Sequence, residues 1–127
     1  MDAKKTVLII EDEADIRTLY AEVLKDAGFN VSEYSDGSQG LNKALEGNWD
    51  VMLLDIILPG SDGVSILKKL KSAENVKHKP IILLTNLGVD HVINDCFELG
   101  ADGYLIKSEI TPDKVVAEIT NVLTPKQ

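Results

Sequence analysis

Five polar residues of this chain stand directly behind apolar runs, and their types could support metal and phosphate chemistry. They are the adjacent acids Glu11 and Asp12, the acid Asp55, the hydroxyl of Thr85 and the amine of Lys107. Each preceding run is typical of a strand buried on both faces of a parallel sheet. Because the carboxyl ends of such strands meet at one edge of the sheet, we expect these side chains to lie together. Alone, each would be an ordinary turn or capping residue, but the shared placement favours a site.

Clustered carboxylates favour a divalent cation at this edge. Acids held close together repel one another, and a bound cation relieves that repulsion. Oxygen-only ligands favour a hard ion such as Mg²⁺. A carboxylate beside such an ion can attack phosphorus and form an acyl phosphate, while an amine and a hydroxyl bind the phosphoryl oxygens. We therefore predict that Asp55, the central acid, is the nucleophile and that Thr85 and Lys107 are its phosphoryl-binding partners.

The rest of the sequence predicts the elements that position this edge. Apolar runs predict strands over residues 6–10, 29–34, 51–54, 81–84 and 104–106. Apolar residues three or four positions apart predict a helix after each strand. The residues expected on the buried helix faces are Ile16, Leu19, Tyr20, Val23, Leu24, Ala27, Leu41, Ala44, Leu45, Val64, Leu67, Leu70, Val89, Val92, Ile93, Cys96, Leu99, Val115, Ile119, Val122 and Leu123. This alternation predicts an α/β fold with a parallel, doubly wound sheet.

The size and composition of the chain are those of one domain. Of 127 residues, 44% are hydrophobic and 27% are charged, so we expect a single domain over 1–127 with a core over 5–123 and a tail at 124–127. No apolar stretch approaches the roughly 20 residues of a membrane span. No signal peptide is visible, and a cytoplasmic location without membrane contact is expected.

The charge of the chain argues against nucleic-acid binding. Its formal net charge is −8, whereas phosphate backbones favour basic proteins. The densest basic run, with lysines at 68, 69, 71, 77 and 79, is interpreted as a solvated helix end. His78 and His91 are expected at the surface, and Trp49 is expected to pack in a loop rather than bind a ligand.

Taken together, these residues resemble the receiver domain of two-component response regulators. The resemblance extends over roughly residues 5–123. The matching features are Glu11 and Asp12, Asp55 followed by Pro59 and Asp62-Gly63, Thr85, Gly100-Ala101-Asp102-Gly103-Tyr104, and Lys107. Each feature is weak alone, but their order is specific. The resemblance implies a flavodoxin-like (βα)5 domain with the strand order 2-1-3-4-5.

The resemblance also implies a mechanism. Asp55 would accept a phosphoryl group from the phosphohistidine of a sensor histidine kinase, so the protein would be a signalling switch and not an enzyme for external substrates. Asp12, Asp55 and the backbone carbonyl of Ile57 would bind Mg²⁺, with Glu11 bound through water. Lys107 and the hydroxyl of Thr85 would bind the phosphoryl oxygens.

A switch and an output surface are implied as well. Tyr104 would be the switch aromatic, turning inward when Thr85 moves toward the phosphoryl group,. The output surface would consist of helix 88–99, strand 104–106 and helix 112–123, where a downstream protein would bind. The protein would be a monomer or a phosphorylation-dependent dimer.

Three residues depart from the family pattern. Ser108 follows Lys107 where the family usually has proline, and a cis peptide there would cost about 2.5–4 kcal/mol, which leaves the reach of Lys107 open. Asn86 follows Thr85 where a small residue is common, so phosphoryl access is expected to be narrower. Ile57 cannot orient an attacking water, and we predict slow self-dephosphorylation.

Other functions share parts of this pattern. A haloacid-dehalogenase-type phosphatase also has an aspartyl nucleophile, but it needs a second acid where this chain has Ile57. A flavodoxin-like FMN binder needs a Ser/Thr/Gly loop after the first strand, where Glu11 and Asp12 would repel phosphate,. Within the receiver interpretation, a stand-alone receiver is favoured because Met1 is close to the first strand. The alternatives are a phosphorelay shuttle and the receiver part of a longer DNA-binding regulator.

Overall fold

In the part of the chain that the structure describes, the five strands of the main sheet alternate with five α-helices. A computed structural model describes residues 4–58, 61–86 and 90–124. The strands are β1 (Thr6–Ile10), β2 (Asn30–Tyr34), β3 (Val51–Asp55), β4 (Ile81–Thr85) and β5 (Gly103–Ile106). The helices are α1 (Ala14–Asp26), α2 (Gly37–Ala44), α3 (Gly63–Ser72), α4 (Asp90–Glu98) and α5 (Pro112–Leu123).

The strands form one parallel sheet in the order β2-β1-β3-β4-β5. This confirms the predicted fold class and strand order. All five residues of β3 are buried, as its unbroken apolar run predicts for the central strand of the sheet,. The strand β2 lies at an edge and is only partly buried. The carboxyl ends of β1 and β4 therefore flank that of β3.

Alternate residues of each inner strand pack on opposite faces of the sheet. One face carries Leu8, Ile10, Met52, Leu54, Ile81 and Leu83, which pack against α2, α3 and α4. The other carries Val7, Ile9, Val51, Leu53, Ile82 and Leu84, which pack against α1 and α5. Both faces of the sheet are thus covered, which leaves its two ends as the accessible parts.

Capping side chains fix the starts of three helices. Asp36 accepts hydrogen bonds from the first turn of α2, and Asp62 accepts one from the amide of Val64 in α3. Thr111 caps α5 with Pro112 in the first turn, as predicted,.

Two strands also begin at a hydrogen bond to a carboxylate. At the start of β1, Asp50 Oδ2 accepts from the amide of Thr6 at 2.7 Å. At the start of β4, Asp102 Oδ2 accepts from the amide of Ile81 at 2.9 Å.

Some predicted helix faces were wrong. Leu19 is 49% exposed and Leu45 is 37% exposed. The buried face of α1 is the narrower stripe Tyr20, Ala21 and Leu24. The buried face of α2 consists of Gly37, Gly40 and Ala44. A Cβ on Gly40 would lie 2.7 Å from the side chain of Ile10. The helix α2 therefore packs so closely on β1 that there is no room for a larger side chain at this position.

The lysine run at 68–79 was predicted to be solvated throughout, and this prediction was wrong for Lys71. The side chain of Lys71 is 13% exposed, and its Nζ lies 3.5 Å from Asp102 Oδ2. The same amine donates hydrogen bonds to the carbonyls of Lys77 and Lys79. Lysine can bury its aliphatic stem and still satisfy its charge, so Lys71 fastens the loop after α3.

Several other predictions concern single residues. Cys96 is buried and Trp49 is buried, with its indole N–H donating to the carbonyl of Ala44 at 2.7 Å. His78 is exposed. The buried positions of Cys96 and Trp49 and the exposed position of His78 agree with the predictions. The predictions for Pro59, Val89, the side chain of His91 and tail residues 125–127 lie outside the described residues.

None of the helices in the described part of the chain combines the length and the apolar character needed to cross a bilayer.

Candidate functional site

The end of β1 turns Glu11 into the protein. Its amide donates to the carbonyl of Tyr34 at 3.0 Å, and its side chain is fully buried. Its Oε2 accepts from the amide of Glu13 at 3.1 Å. Its Oε1 has no aligned hydrogen-bond donor among the described residues, but Lys107 Nζ lies 2.6 Å away. This contact is therefore a buried ion pair.

The end of β3 places Asp55 beside the same amine. Asp55 is 3% exposed, and its Oδ2 accepts from Lys107 Nζ at 2.9 Å. Its Oδ1 accepts from the amide of Ile57 at 3.0 Å. The amide of Ile56 still donates to Leu84 on β4, so the sheet holds the backbone at this point. Asp55 is thus oriented by both the turn behind it and the lysine in front.

The chain behind Asp55 forms a small antiparallel pair that the sequence did not predict. Ile57–Leu58 pairs with Ser61–Asp62, and the amide of Gly63 donates to the carbonyl of Ile56 at 2.8 Å. A Cβ on Gly63 would overlap the carbonyl oxygens of residues 55 and 56. Only glycine allows α3 to begin this close to the end of β3.

Three acids meet at the centre of this edge, as predicted. Glu11, Asp12 and Asp55 each offer an oxygen, and these oxygens lie within 4.8 Å of one another. Asp12 is half-buried, whereas the other two are buried. The donor set is all oxygen and carries more negative charge than one lysine balances, so its chemistry fits Mg²⁺. Ile57, whose backbone carbonyl is a predicted ligand of the metal, lies beside Asp55 because its amide donates to Asp55 Oδ1. Ile57 is 68% exposed.

Burial and pairing shift the pKa values of the buried groups. Burial raises the pKa of Glu11 from 4.5 to about 7, with Lys107 opposing the rise and Asp55 adding to it. Burial alone would lower the pKa of Lys107, but its contacts with the two carboxylates outweigh that effect and raise it. Lys107 is therefore a permanent cation, and Glu11 is the group in this pair that titrates near neutral pH.

The raised pKa of Glu11 predicts a pH dependence of stability without Mg²⁺. Between about pH 4.5 and about pH 7 the folded state retains a proton that the unfolded state has released. The contribution of Glu11 to the free energy of unfolding should therefore be largest at the acid end and disappear as the pH rises through 7. Urea unfolding from pH 5 to pH 8 measures it as the difference from Glu11→Gln, which lacks the titration. Identical pH profiles for the two proteins would contradict the assignment.

Among the described residues, neither Thr85 nor Tyr104 forms a hydrogen bond with Asp55. Thr85 is 4% exposed at the end of β4, and its hydroxyl donates to the carbonyl of Asn86 at 2.8 Å. Tyr104 on β5 is 43% exposed, and its ring packs edge-on against Phe97 with centroids 6.0 Å apart. Thr85 thus lies at the carboxyl end of β4, as the sequence predicts, and Tyr104 is partly exposed beside Phe97.

The position of Ser108 does not prevent Lys107 from reaching the acids. Lys107–Glu109 forms a short 3-10 turn, and no cis peptide bond occurs in 4–58, 61–86 or 90–124. The side chain of Lys107 is 5% exposed and contacts both buried carboxylates. Lys107 therefore reaches the site although serine, not proline, follows it.

Two residues near the acids were missed by sequence reasoning. Arg17 Nη1 donates to the carbonyl of Glu11 at 2.7 Å. Glu13 Oε1 lies 3.8 Å from Lys107 Nζ. Arg17 is the only arginine of the chain, which is the one signal that could have drawn attention to it. Its contact is with a backbone carbonyl, which no side-chain motif records.

Known proteins similar to this chain include response regulator receiver domains and transcriptional regulatory proteins. The family model of the response regulator receiver domain matches residues 7–120. The transcriptional regulatory protein ResD of Bacillus subtilis is 33% identical over 117 residues, which cover 92% of this chain and 47% of ResD. The chain spans about half the length of the curated relatives it matches first.

Solved structures share the fold along nearly the whole chain. The Vibrio cholerae chemotaxis protein CheY4 is 29% identical, with a TM-score of 0.88 over 95% of this chain and 100% of that one. The receiver domain of the sensor histidine kinase PA1611 from Pseudomonas aeruginosa is 26% identical, with a TM-score of 0.85 over 95% and 98%. Its structure contains a magnesium ion in the active site cleft.

Proposed function

The chain belongs to the response regulator receiver domain family, and from that premise we propose that Asp55 is its phosphoryl acceptor and a sensor histidine kinase the donor. The observation that carries this assignment is the surroundings of Asp55: Lys107 Nζ lies at 2.9 Å, and oxygens of two further acids lie within 4.8 Å. A carboxylate oxygen of Asp55 would bond to phosphorus as the P–N bond of phosphohistidine breaks.

Mg²⁺ is the proposed cofactor of this reaction. Asp12, Asp55 and the backbone carbonyl of Ile57 would bind it, with Glu11 acting through water. The all-oxygen donor set supports this choice,, and so does the magnesium ion in the PA1611 receiver domain. When bound, the ion would neutralise charge on the phosphoryl oxygens.

Lys107 and Thr85 are proposed to bind the phosphoryl oxygens. Lys107 already donates to Asp55 Oδ2, so its charge lies beside the reacting carboxylate. The Thr85 hydroxyl donates to the neutral carbonyl of Asn86, and an anionic phosphoryl oxygen is a stronger acceptor. Movement of Thr85 would leave space for Tyr104 to turn inward. The outward, 43% exposed ring of Tyr104 supplies the starting state for that switch.

The output surface is proposed to be formed by α4, β5 and α5, the described part of the predicted 88–123 face. A downstream protein would bind there, with the domain as a monomer or a phosphorylation-dependent dimer. The domain itself would not bind nucleic acid, given its net charge of −8,. Because ResD is named a transcriptional regulator and is about twice as long as this chain, a DNA-binding part outside this domain is an alternative output. We propose a cytoplasmic location for the domain, because its donor kinase would need ATP to become phosphorylated.

The phosphorylated protein should be long-lived. Ile57 is 68% exposed beside Asp55 and has no polar group to orient an attacking water. Ile57→Asn, which adds an amide there, should hydrolyse roughly tenfold faster, a fall of about 1.4 kcal/mol in the barrier. Ile57→Leu is the matched control and should decay at the wild-type rate. Intact mass followed over time at neutral pH with Mg²⁺ gives these rates, and wild-type decay within seconds would refute the prediction.

The test of the proposed function is phosphorylation by a small donor. The wild-type protein is incubated with acetyl phosphate and Mg²⁺, or with EDTA instead of Mg²⁺, and its intact mass is measured. We expect one phosphoryl group with Mg²⁺ and none with EDTA. Hydroxylamine should remove it, since that reagent cleaves acyl phosphates but not phosphate esters of serine or threonine. An adduct that resists hydroxylamine, or no adduct from either acetyl phosphate or a phosphorylated kinase, would overturn the proposal.

A further inference from the structure

Arg17 connects the first helix to the acid pair at the end of β1. It lies in the first turn of α1, and its side chain turns back toward the strand. Its Nη1 donates to the carbonyl oxygen of Glu11 at 2.7 Å. That carbonyl belongs to the peptide between Glu11 and Asp12. Arg17 thus binds the acid pair through its backbone.

The guanidinium of Arg17 is itself held in place. Its Nε lies 3.7 Å from Glu33 Oε1 on β2, and Glu33 Oε2 lies 3.8 Å from Lys25 Nζ. The side chain of Arg17 is only 19% exposed. A planar guanidinium can bind a carbonyl and a carboxylate together from one fixed position, which lysine cannot do. The contact to Glu11 is therefore made by a preoriented donor.

Loss of Arg17 would affect Asp12 more than Glu11. The amide of Glu11 is held by Tyr34, and its side chain is held by Glu13 and Lys107. Only its carbonyl depends on Arg17. Without that hydrogen bond the peptide between the two acids can rotate, and such a rotation changes the direction in which Asp12 leaves the backbone.

We propose that Arg17 is a positioning residue for the metal site, which fixes the Glu11–Asp12 peptide so that Asp12 points into the acid cluster. The inference rests on the proposed function of that cluster. Because Arg17 acts through the Glu11–Asp12 peptide, its loss should weaken Mg²⁺ binding and leave the phosphorylation rate at saturating Mg²⁺ near the wild-type value.

The test compares Arg17→Met with Lys25→Met. The control removes the other cation beside Glu33 and no contact to Glu11. Calorimetric titration with Mg²⁺ should show the dissociation constant raised about tenfold in Arg17→Met and changed less than about twofold in Lys25→Met. Arg17→Lys should recover only part of the affinity, since an ammonium lacks the fork. If Arg17→Met does not fold, Glu33→Gln loosens the arginine without removing it and should raise the constant roughly threefold.

Phosphorylation by acetyl phosphate separates positioning from a general structural role. For Arg17→Met the Mg²⁺ concentration at half-maximal rate should rise, while the maximal rate is retained. A lowered maximal rate with unchanged Mg²⁺ affinity, or an equal loss of affinity in Lys25→Met, would overturn the positioning role and leave the proposed function standing. A wild-type protein that binds no Mg²⁺ would overturn both.

Discussion

Asp55→Asn should give a folded protein that takes up no phosphoryl group from acetyl phosphate and Mg²⁺. The amide retains the shape of the side chain and an oxygen that can accept from the amide of Ile57, so the turn behind β3 should persist. It has no anionic oxygen to bond to phosphorus, and loss of a nucleophile costs more than roughly a thousandfold in rate. Intact mass after incubation is the measurement, and the adduct should be undetectable.

Asp62→Asn is the matched control for this experiment. Asp62 is exposed near the same edge and caps α3 by accepting from the amide of Val64 at 3.0 Å. Asparagine caps helices about as well as aspartate, so this variant should be phosphorylated like the wild type. An adduct that persists in Asp55→Asn and disappears in Asp62→Asn would place the acceptor on the wrong acid and refute the assignment.

Lys107→Met should be the most destabilising single change in the site. Lys107 Nζ lies 2.6 Å from Glu11 and 2.9 Å from Asp55, and all three side chains are almost fully buried. Methionine fills the space of the stem but leaves two buried carboxylates without their cation. Breaking a buried ion pair in this way costs about 3 kcal/mol or more. Urea unfolding at pH 8 without Mg²⁺ should show a loss of that size.

The charges of the site make this prediction specific. Glu11→Gln removes one of the carboxylates and should not lower the free energy of unfolding at pH 8, because Lys107 still neutralises Asp55. Adding Mg²⁺ to Lys107→Met should recover part of the loss, since a divalent cation replaces the missing positive charge. If Lys107→Met were as stable as the wild type at pH 8, the ion pair would contribute nothing to folding.

The predicted parts of the fold rest on local signals that packing reinforces. The apolar run of β3 could only be a strand covered on both faces, and it ends at Asp55 as its sequence indicates. Thr111 and Pro112 start α5 by their own backbone preferences,. The alternation of strands and helices predicts that all the strands run parallel and end at one edge of the sheet. It does not give their order, and the place of β1 beside β3 was implied by the resemblance and is confirmed by the structure. The convergence of the acids follows from that topology.

The parts that were missed depend on contacts between distant segments. Helical periodicity predicts a broad apolar stripe on α1, but the elements packed against the helix determine how much of that stripe is buried. Leu19, at the edge of the stripe, is therefore exposed. Lys71 is buried because the carbonyls of Lys77 and Lys79 turn toward it. Arg17 binds a backbone carbonyl, and every residue type carries one,. None of these partners could be identified from residue types and spacing.

The two ends of the sheet are fastened by different kinds of contact, and this divides the domain into a fixed end and an adjustable one. At the amino end, Asp50 and Asp102 each accept from the first amide of a strand. These bonds involve no ligand. At the carboxyl end, Lys107 joins Glu11, which follows β1, to Asp55, the last residue of β3, and any anion or cation that enters competes for the same atoms. Amide hydrogen exchange at the carboxyl end therefore reports the ligand state, while the amino end keeps the strands aligned throughout.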